Sequence, residues 1–83
     1  MKFFRKAISD CTKVLAIDTN FMFAYARRAR CHVALQEWEN AVHDFTQACA
    51  LSPDDKGLAW ERAAAEQRRL HEEYLNLTYN LHK

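Results

Sequence analysis

FRKAISDCTKVLAID, residues 4–18, and WENAVHDFTQACALS, residues 38–52, carry one pattern twice at an offset of 34 residues. Ala7 falls on Ala41, Asp10 on Asp44, Thr12 on Thr46 and Ala16 on Ala50, while Phe4/Trp38, Ile8/Val42 and Ile17/Leu51 pair conservatively. At the same offset Arg28-Ala29 lands on Arg62-Ala63. A period in the range of about 20–50 residues is the signature of stacked structural repeats. Such stacks bury their apolar faces on neighbouring units and build extended binding surfaces, and they seldom house chemistry.

Composition points the same way. The 83 residues include one glycine, Gly57, and one proline, Pro53, too few turn formers for a multi-stranded fold. Apolar residues make up 49 % and charged residues 28 %, the balance of a folded domain. A formal net charge of +1 gives no overall pull toward nucleic acid or membrane. No apolar run reaches the length of a membrane span, and Met1-Lys2-Phe3-Phe4 lacks the character of a signal peptide. Cys11, Cys31 and Cys49, odd in number and set in helical patterns, read as reduced thiols used for packing. A reducing, cytoplasmic location is expected. In that setting Asn76-Leu77-Thr78 is a chance glycosylation match.

Periodicity and punctuation give four helices and an all-α fold. The first spans about residues 2–16, with Phe4, Ala7, Ile8, Cys11, Val14 and Leu15 on one stripe. Asp18-Thr19-Asn20 breaks it and offers capping side chains to the next. The second spans about 21–34, carrying Tyr25, Ala29, His32 and Val33, and the third about 37–50, with Trp38, Ala41, Val42, Phe45, Ala48 and Cys49 inward. Ser52-Pro53-Asp54-Asp55 stops the third and starts the fourth, where acidic residues suit a helix N-terminus. Connections this short force antiparallel helical hairpins. The fourth helix meets no breaker between Leu58 and Lys83 and reaches about 40 Å at 1.5 Å per residue. Trp60, Ala63, Gln67, Leu70, Tyr74, Leu77 and Leu81 recur along it at alternating spacings of three and four. Its first half is expected to pack on the third helix through that seam, and its second half outruns it.

Tyr25-x2-Arg28-Ala29-x2-His32, then Ala41-x3-Phe45, then Pro53 resembles the tetratricopeptide repeat pattern, with Arg28 standing for its leucine and His32 for its tyrosine. The resemblance implies a right-handed stack of hairpins. Residues 1–19 would be the second helix of one repeat, 20–53 a complete repeat, and 54–83 a long C-terminal capping helix. Ala29, Ala41 and Ala48 are small where two helix axes must come close, and Tyr25, Trp38 and Phe45 fill the spaces between. Phe3, Phe4, Ile8 and Leu15 are left without a neighbour on their N-terminal side.

In a stack of this family the first helix of each repeat lines a concave groove. Segment 21–34 carries Arg27, Arg28 and Arg30 and no acid, whereas 37–55 carries five acids and no Lys or Arg. The inner wall is therefore expected to be basic and suited to an anionic peptide. Phe23, Arg27 and Arg30 share a face, Arg28 points elsewhere, and Trp60 and Gln67 would complete the groove. Leu70, Tyr74, Leu77 and Leu81 are candidates for docking a partner.

Asp10-Cys11-Thr12, Ala24 to Cys31, and Ala41-Val42-His43-Asp44 are similar to the last repeats of tetratricopeptide co-chaperones, most of all those that continue into a J domain. That resemblance implies a protein partner: the acidic C-terminal tail of 70-kDa or 90-kDa heat-shock chaperones, gripped by Lys, Asn and Arg. Arg27 matches the arginine of that clamp, while its lysine position holds Phe23. An alternative is a scaffold segment whose open ends pack on other subunits, and exposed helix faces also allow self-association. No enzyme, catalytic residue, metal or cofactor is expected. Asp10, Asp44, Glu72 and Glu73 read as scattered surface carboxylates, and adjacent Cys31 and His32 diverge by about 100° on a helix. Acids interleaved among Arg62, Arg68 and Arg69 argue against RNA.

Overall fold

The computed structural model describes residues 2–81. They form α1 (Lys2–Ile17), α2 (Met22–Ala34), α3 (Trp38–Leu51) and α4 (Lys56–Leu81), and no strand occurs among the described residues. Each helix packs on its neighbour in the chain, and the heaviest packing joins α2 to α3. This is the expected all-α stack of antiparallel hairpins.

Alanine makes the α2–α3 contact possible. Ala26 and Ala29 of α2 meet Ala41, Phe45 and Ala48 of α3 in one core cluster, joined by Leu58 and Ala65 of α4. With no side chain beyond Cβ between them, the two axes approach until Phe45 fills the remaining space, itself fully buried. Tyr25 bridges this cluster to a second, formed by Cys11, Leu15 and Ala24, which ties α1 to α2. Leu15 is therefore buried by α2, contrary to its expected exposure, while Phe3 is open. Cys11 lies in the second cluster and Cys31 is buried as well, and burial pushes both thiols up from the ordinary cysteine range, so they act as small apolar groups.

The α2–α3 turn closes without glycine. Gln36 adopts φ 60°, its N–H donates to the Val33 carbonyl and the Glu37 N–H to the His32 carbonyl. This is the double hydrogen bond that ends many helices, with a left-handed residue where glycine is the usual choice. Caps elsewhere differ in kind. At the start of α2 the expected side-chain cap is absent: Phe21 precedes the helix, and Asp18 Oδ1 accepts instead from the Asn20 N–H. At the start of α4 the cap is present, with Asp55 Oδ1 accepting from the Leu58 N–H at 3.1 Å.

The seam of α4 is not where alternating spacing put it. Leu58 and Ala65 are the residues buried against α3, whereas Trp60 is 73 % exposed and Ala63 and Gln67 are open as well. Period alone identifies a stripe but not which neighbour covers it. Here the covered stripe starts two residues earlier, where Leu58 carries the bulk. Leu70, Tyr74, Leu77 and Leu81 continue the open side beyond the end of α3.

Two changes test this packing. Phe45→Ala is expected to lower the unfolding free energy by about 3 kcal/mol or more by emptying the centre of the cluster, while Trp60→Ala stays within about 0.5 kcal/mol. Gln36→Gly should raise stability by about 0.5 kcal/mol in the same urea titrations, because the left-handed conformation then carries no Cβ penalty.

Candidate functional site

A chain of polar contacts runs across the back of the hairpin. The Arg28 guanidinium donates twice to Asp44, from Nε and Nη2 at 2.7 Å each, and from Nη1 to the Thr12 hydroxyl at 3.1 Å. Its ring-stacking partner is Tyr25, 5.8 Å from the ring centre. The hydrogen bonds to Asp44 hold Arg28 even more firmly protonated than usual. His32 lies between Glu37, 2.9 Å from its Nδ1, and Asp44, 3.7 Å from its Nε2. Glu37 also accepts a bidentate pair from Arg5, and the Arg5 and His32 contacts hold its carboxyl below the usual glutamate range. Asp44, expected as a surface carboxylate, is only 2 % exposed, because Arg28 takes up both of its oxygens. Arg28 and His32, the two departures from the repeat pattern, thus serve one ionic lock joining α1, α2 and α3.

Of the three α2 arginines, two are committed to acids. Arg30 donates from Nε and Nη2 to Glu61 of α4, at 2.8 Å each. The wall expected to be uniformly basic is therefore partly neutralised by an acid from the facing helix. Arg27 alone has no carboxylate in ion-pair contact among the described residues.

Four of the five expected groove residues divide between two hollows. Phe23 and Arg27 line one of about 230 Å³ between α1 and α2. Arg30 and Trp60 line another of about 330 Å³, walled by Val33, Trp38, Glu61 and Arg68. Gln67 lines neither of these, and it is exposed. Arg68, read from the sequence as part of a solvated face, lies over the Trp38 ring at 4.8 Å and closes one side of the second hollow. Its signal was present: Arg68 follows Leu58, Glu61 and Ala65 on the stripe that α3 covers. Arg69 is held by Glu66 and Glu73 on its own helix.

Leu70, Tyr74, Leu77 and Leu81 form a continuous open apolar edge on α4. Among the described residues no group of three His, Cys, Asp or Glu side chains could hold a metal, and no helix is long and apolar enough to cross a membrane. The two hollows offer charge and apolar surface, the chemistry of recognition.

Comparison with known proteins fits this geometry. Residues 22–55 match the tetratricopeptide repeat family model, and the chain belongs with the tetratricopeptide repeat proteins. It is 36 % identical over 74 residues to the DnaJ homolog subfamily C member 7 homolog of Dictyostelium discoideum, covering 89 % of this chain and 13 % of that protein. It is 39 % identical over 56 residues to the protein of the same name in Schizosaccharomyces pombe, covering 68 % of this chain and 12 % of the relative. It is 33 % identical over 63 residues to FK506-binding protein 59 of Drosophila melanogaster, covering 76 % and 14 %. The chain thus spans about an eighth of the length of the curated relatives it matches. No solved structure matches it significantly.

The ionic lock is testable by a double-mutant cycle. Asp44→Ala is expected to cost about 3 kcal/mol in chemical denaturation, since it strands a half-buried guanidinium. Arg28→Met combined with Asp44→Ala should recover part of that loss, and with Arg28→Met alone as the other single variant the cycle should give a coupling energy above about 1 kcal/mol.

Proposed function

We propose that the chain is a protein-interaction module that takes an extended acidic peptide along α2 and α4. The observation that carries this reading is the state of Arg27: one guanidinium on α2 in ion-pair contact with no carboxylate, at the rim of a largely apolar hollow that it shares with exposed Phe23 and with Asp10 of α1. An anionic group placed there gains charge-assisted hydrogen bonds without displacing a partner. The second hollow is apolar in its walls and rimmed by Arg30 and Arg68, which suits a large apolar side chain flanked by carboxylates. Entry of such a group exchanges the Glu61 contact of Arg30 for a peptide carboxylate. Trp60 supplies a flat exposed surface at the mouth, and Gln67 a hydrogen-bonding amide one helical turn beyond Ala63 and Ala64.

The relatives' names support a co-chaperone-like role, and the acidic C-terminal tail of a 70-kDa or 90-kDa heat-shock chaperone in the cytoplasm is the partner this reading favours. Residues 20–53 would then act as a complete repeat, with 1–19 and 54–83 contributing one helix on each side. Leu70, Tyr74, Leu77 and Leu81 would provide a separate docking edge for a protein partner.

Fluorescence anisotropy with a labelled peptide ending in several acidic residues and a free carboxylate tests the reading. Binding is expected to weaken steeply as salt rises, and Arg27→Ala with Arg30→Ala should cost about tenfold or more in affinity. Equal affinity in the double variant, or binding indifferent to salt, would reject the groove.

A further inference from the structure

Two arginines of α2 hold a carboxylate through the same pair of donors, Nε and Nη2, in very different surroundings. Arg28 and Asp44 meet with side chains 18 % and 3 % exposed, inside the packed contact. Arg30 and Glu61 meet with side chains 56 % and 29 % exposed, in reach of water. An exposed pair of this kind favours its closed form by about fivefold at most, so it opens readily. Both residues line the hollow that α2, α3 and α4 enclose, around Val33, Phe45 and Ala65. Leu58, Glu61, Ala65 and Arg68 succeed one another at spacings of three and four on α4. Glu61 and Arg68 therefore lie on the side of α4 turned to α3 and not on its open edge.

Arg68 shares the hollow but not the pairing. Among the described residues it meets no carboxylate in ion-pair contact, and its guanidinium lies over the Trp38 ring, 4.8 Å from the centre. Stacking occupies the flat face of a guanidinium and leaves the N–H groups on its edge able to donate. The ring also holds those donors in place before any ligand arrives, which lowers the entropy lost on binding. For an incoming carboxylate the two arginines are unequal. At Arg68 it displaces only water. At Arg30 it displaces an acid of its own kind, so the bonds formed replace bonds broken, and the released Glu61 stays beside it as a like charge.

Taking the acidic-peptide reading as given, we propose that Glu61 is a competitor built into the groove, which keeps Arg30 closed so that the peptide's first carboxylate in this hollow goes to Arg68 on Trp38. Arg30 then engages only a segment that brings a second carboxylate. A peptide with one acid beside its apolar side chain is held through Arg68 alone, and one with acids on both sides opens the Arg30–Glu61 pair. The second acid adds less affinity than the first, and the deficit is the Glu61 contact. Arg68, absent from the groove expected from the sequence, becomes the leading anion-binding residue of this hollow.

Fluorescence anisotropy with the labelled acidic peptide, on the whole chain and on variants that replace charge by amide, tests the competition. Glu61→Gln should tighten binding about fivefold or more. Glu72 lies outside this hollow, and Glu72→Gln, which removes the same charge, should change affinity by less than about twofold. In the parent, Arg68→Gln should weaken binding about tenfold and Arg30→Gln only about twofold. In the Glu61→Gln chain, Arg30→Gln should cost about tenfold, because the guanidinium is then open to the peptide. The urea midpoint of Glu61→Gln should match that of the parent. A Glu61→Gln chain that binds no tighter than the parent overturns the proposal and leaves the peptide reading standing, as does a cost of Arg30→Gln that is equal in both backgrounds. A lower urea midpoint with weaker binding also overturns it, because the pair is then a staple that positions α4. Absence of binding in the parent and in every variant rejects the peptide reading, and the competition with it.

Discussion

The distance between the axes of α2 and α3 governs everything else in this molecule. Ala26, Ala29, Ala41 and Ala48 remove the side chains that would hold those axes apart, and Phe45 occupies the only large space left. That approach brings Arg28 within bidentate reach of Asp44 across the contact and sets His32 between two carboxylates. Larger residues in place of the alanines would push the helices apart and break these polar contacts together with the apolar ones. Shape and charge are thus satisfied by one geometry.

Burial of an ion pair is an expensive way to join helices, because two groups leave water at once. Here the cost is limited by good pairing: Asp44 gives both oxygens to one guanidinium, which donates a third bond to Thr12. No buried side-chain nitrogen or oxygen among the described residues is left without a partner. The lock also fixes register. A helix sliding along its neighbour would find other alanines to pack on, but only one alignment faces Arg28 with Asp44.

The sequence made the fold readable through its repeat and its punctuation. The 34-residue offset, the alanines and the polar breaks located four helices to within one or two residues, apart from the C-terminal limit of the fourth, where the expected residues 82 and 83 lie outside the described residues. The site was less readable, for physical reasons particular to each residue. Asp44 looked like any surface acid because its partner lies 16 positions away on another helix, and pairing across space leaves no local mark. Whether Arg30 meets an acid, and which one, was hidden for the same reason, Glu61 lying on α4. The seam of α4 misled because Trp60, Gln67 and Tyr74 form the tidier stripe. Coverage was decided instead by which side already had a neighbour, and Leu58 and Ala65 faced α3. The αL turn at Gln36 had no glycine to announce it.

Asp55 caps α4 at one end, and α3 holds its inner half. From about Leu70 onward the helix has its own backbone hydrogen bonds and intrahelical contacts such as Arg69 with Glu73, but little tertiary cover. Initiating a helix in water is hard, and lengthening one already begun is nearly free in either direction. The inner half supplies the nucleus, so the outer turns can wind and unwind without disturbing the core. Whatever settles on that edge would be met by a rod of adjustable length, and its grip would strengthen turn by turn with cooling or with any contact that holds the last coils in place.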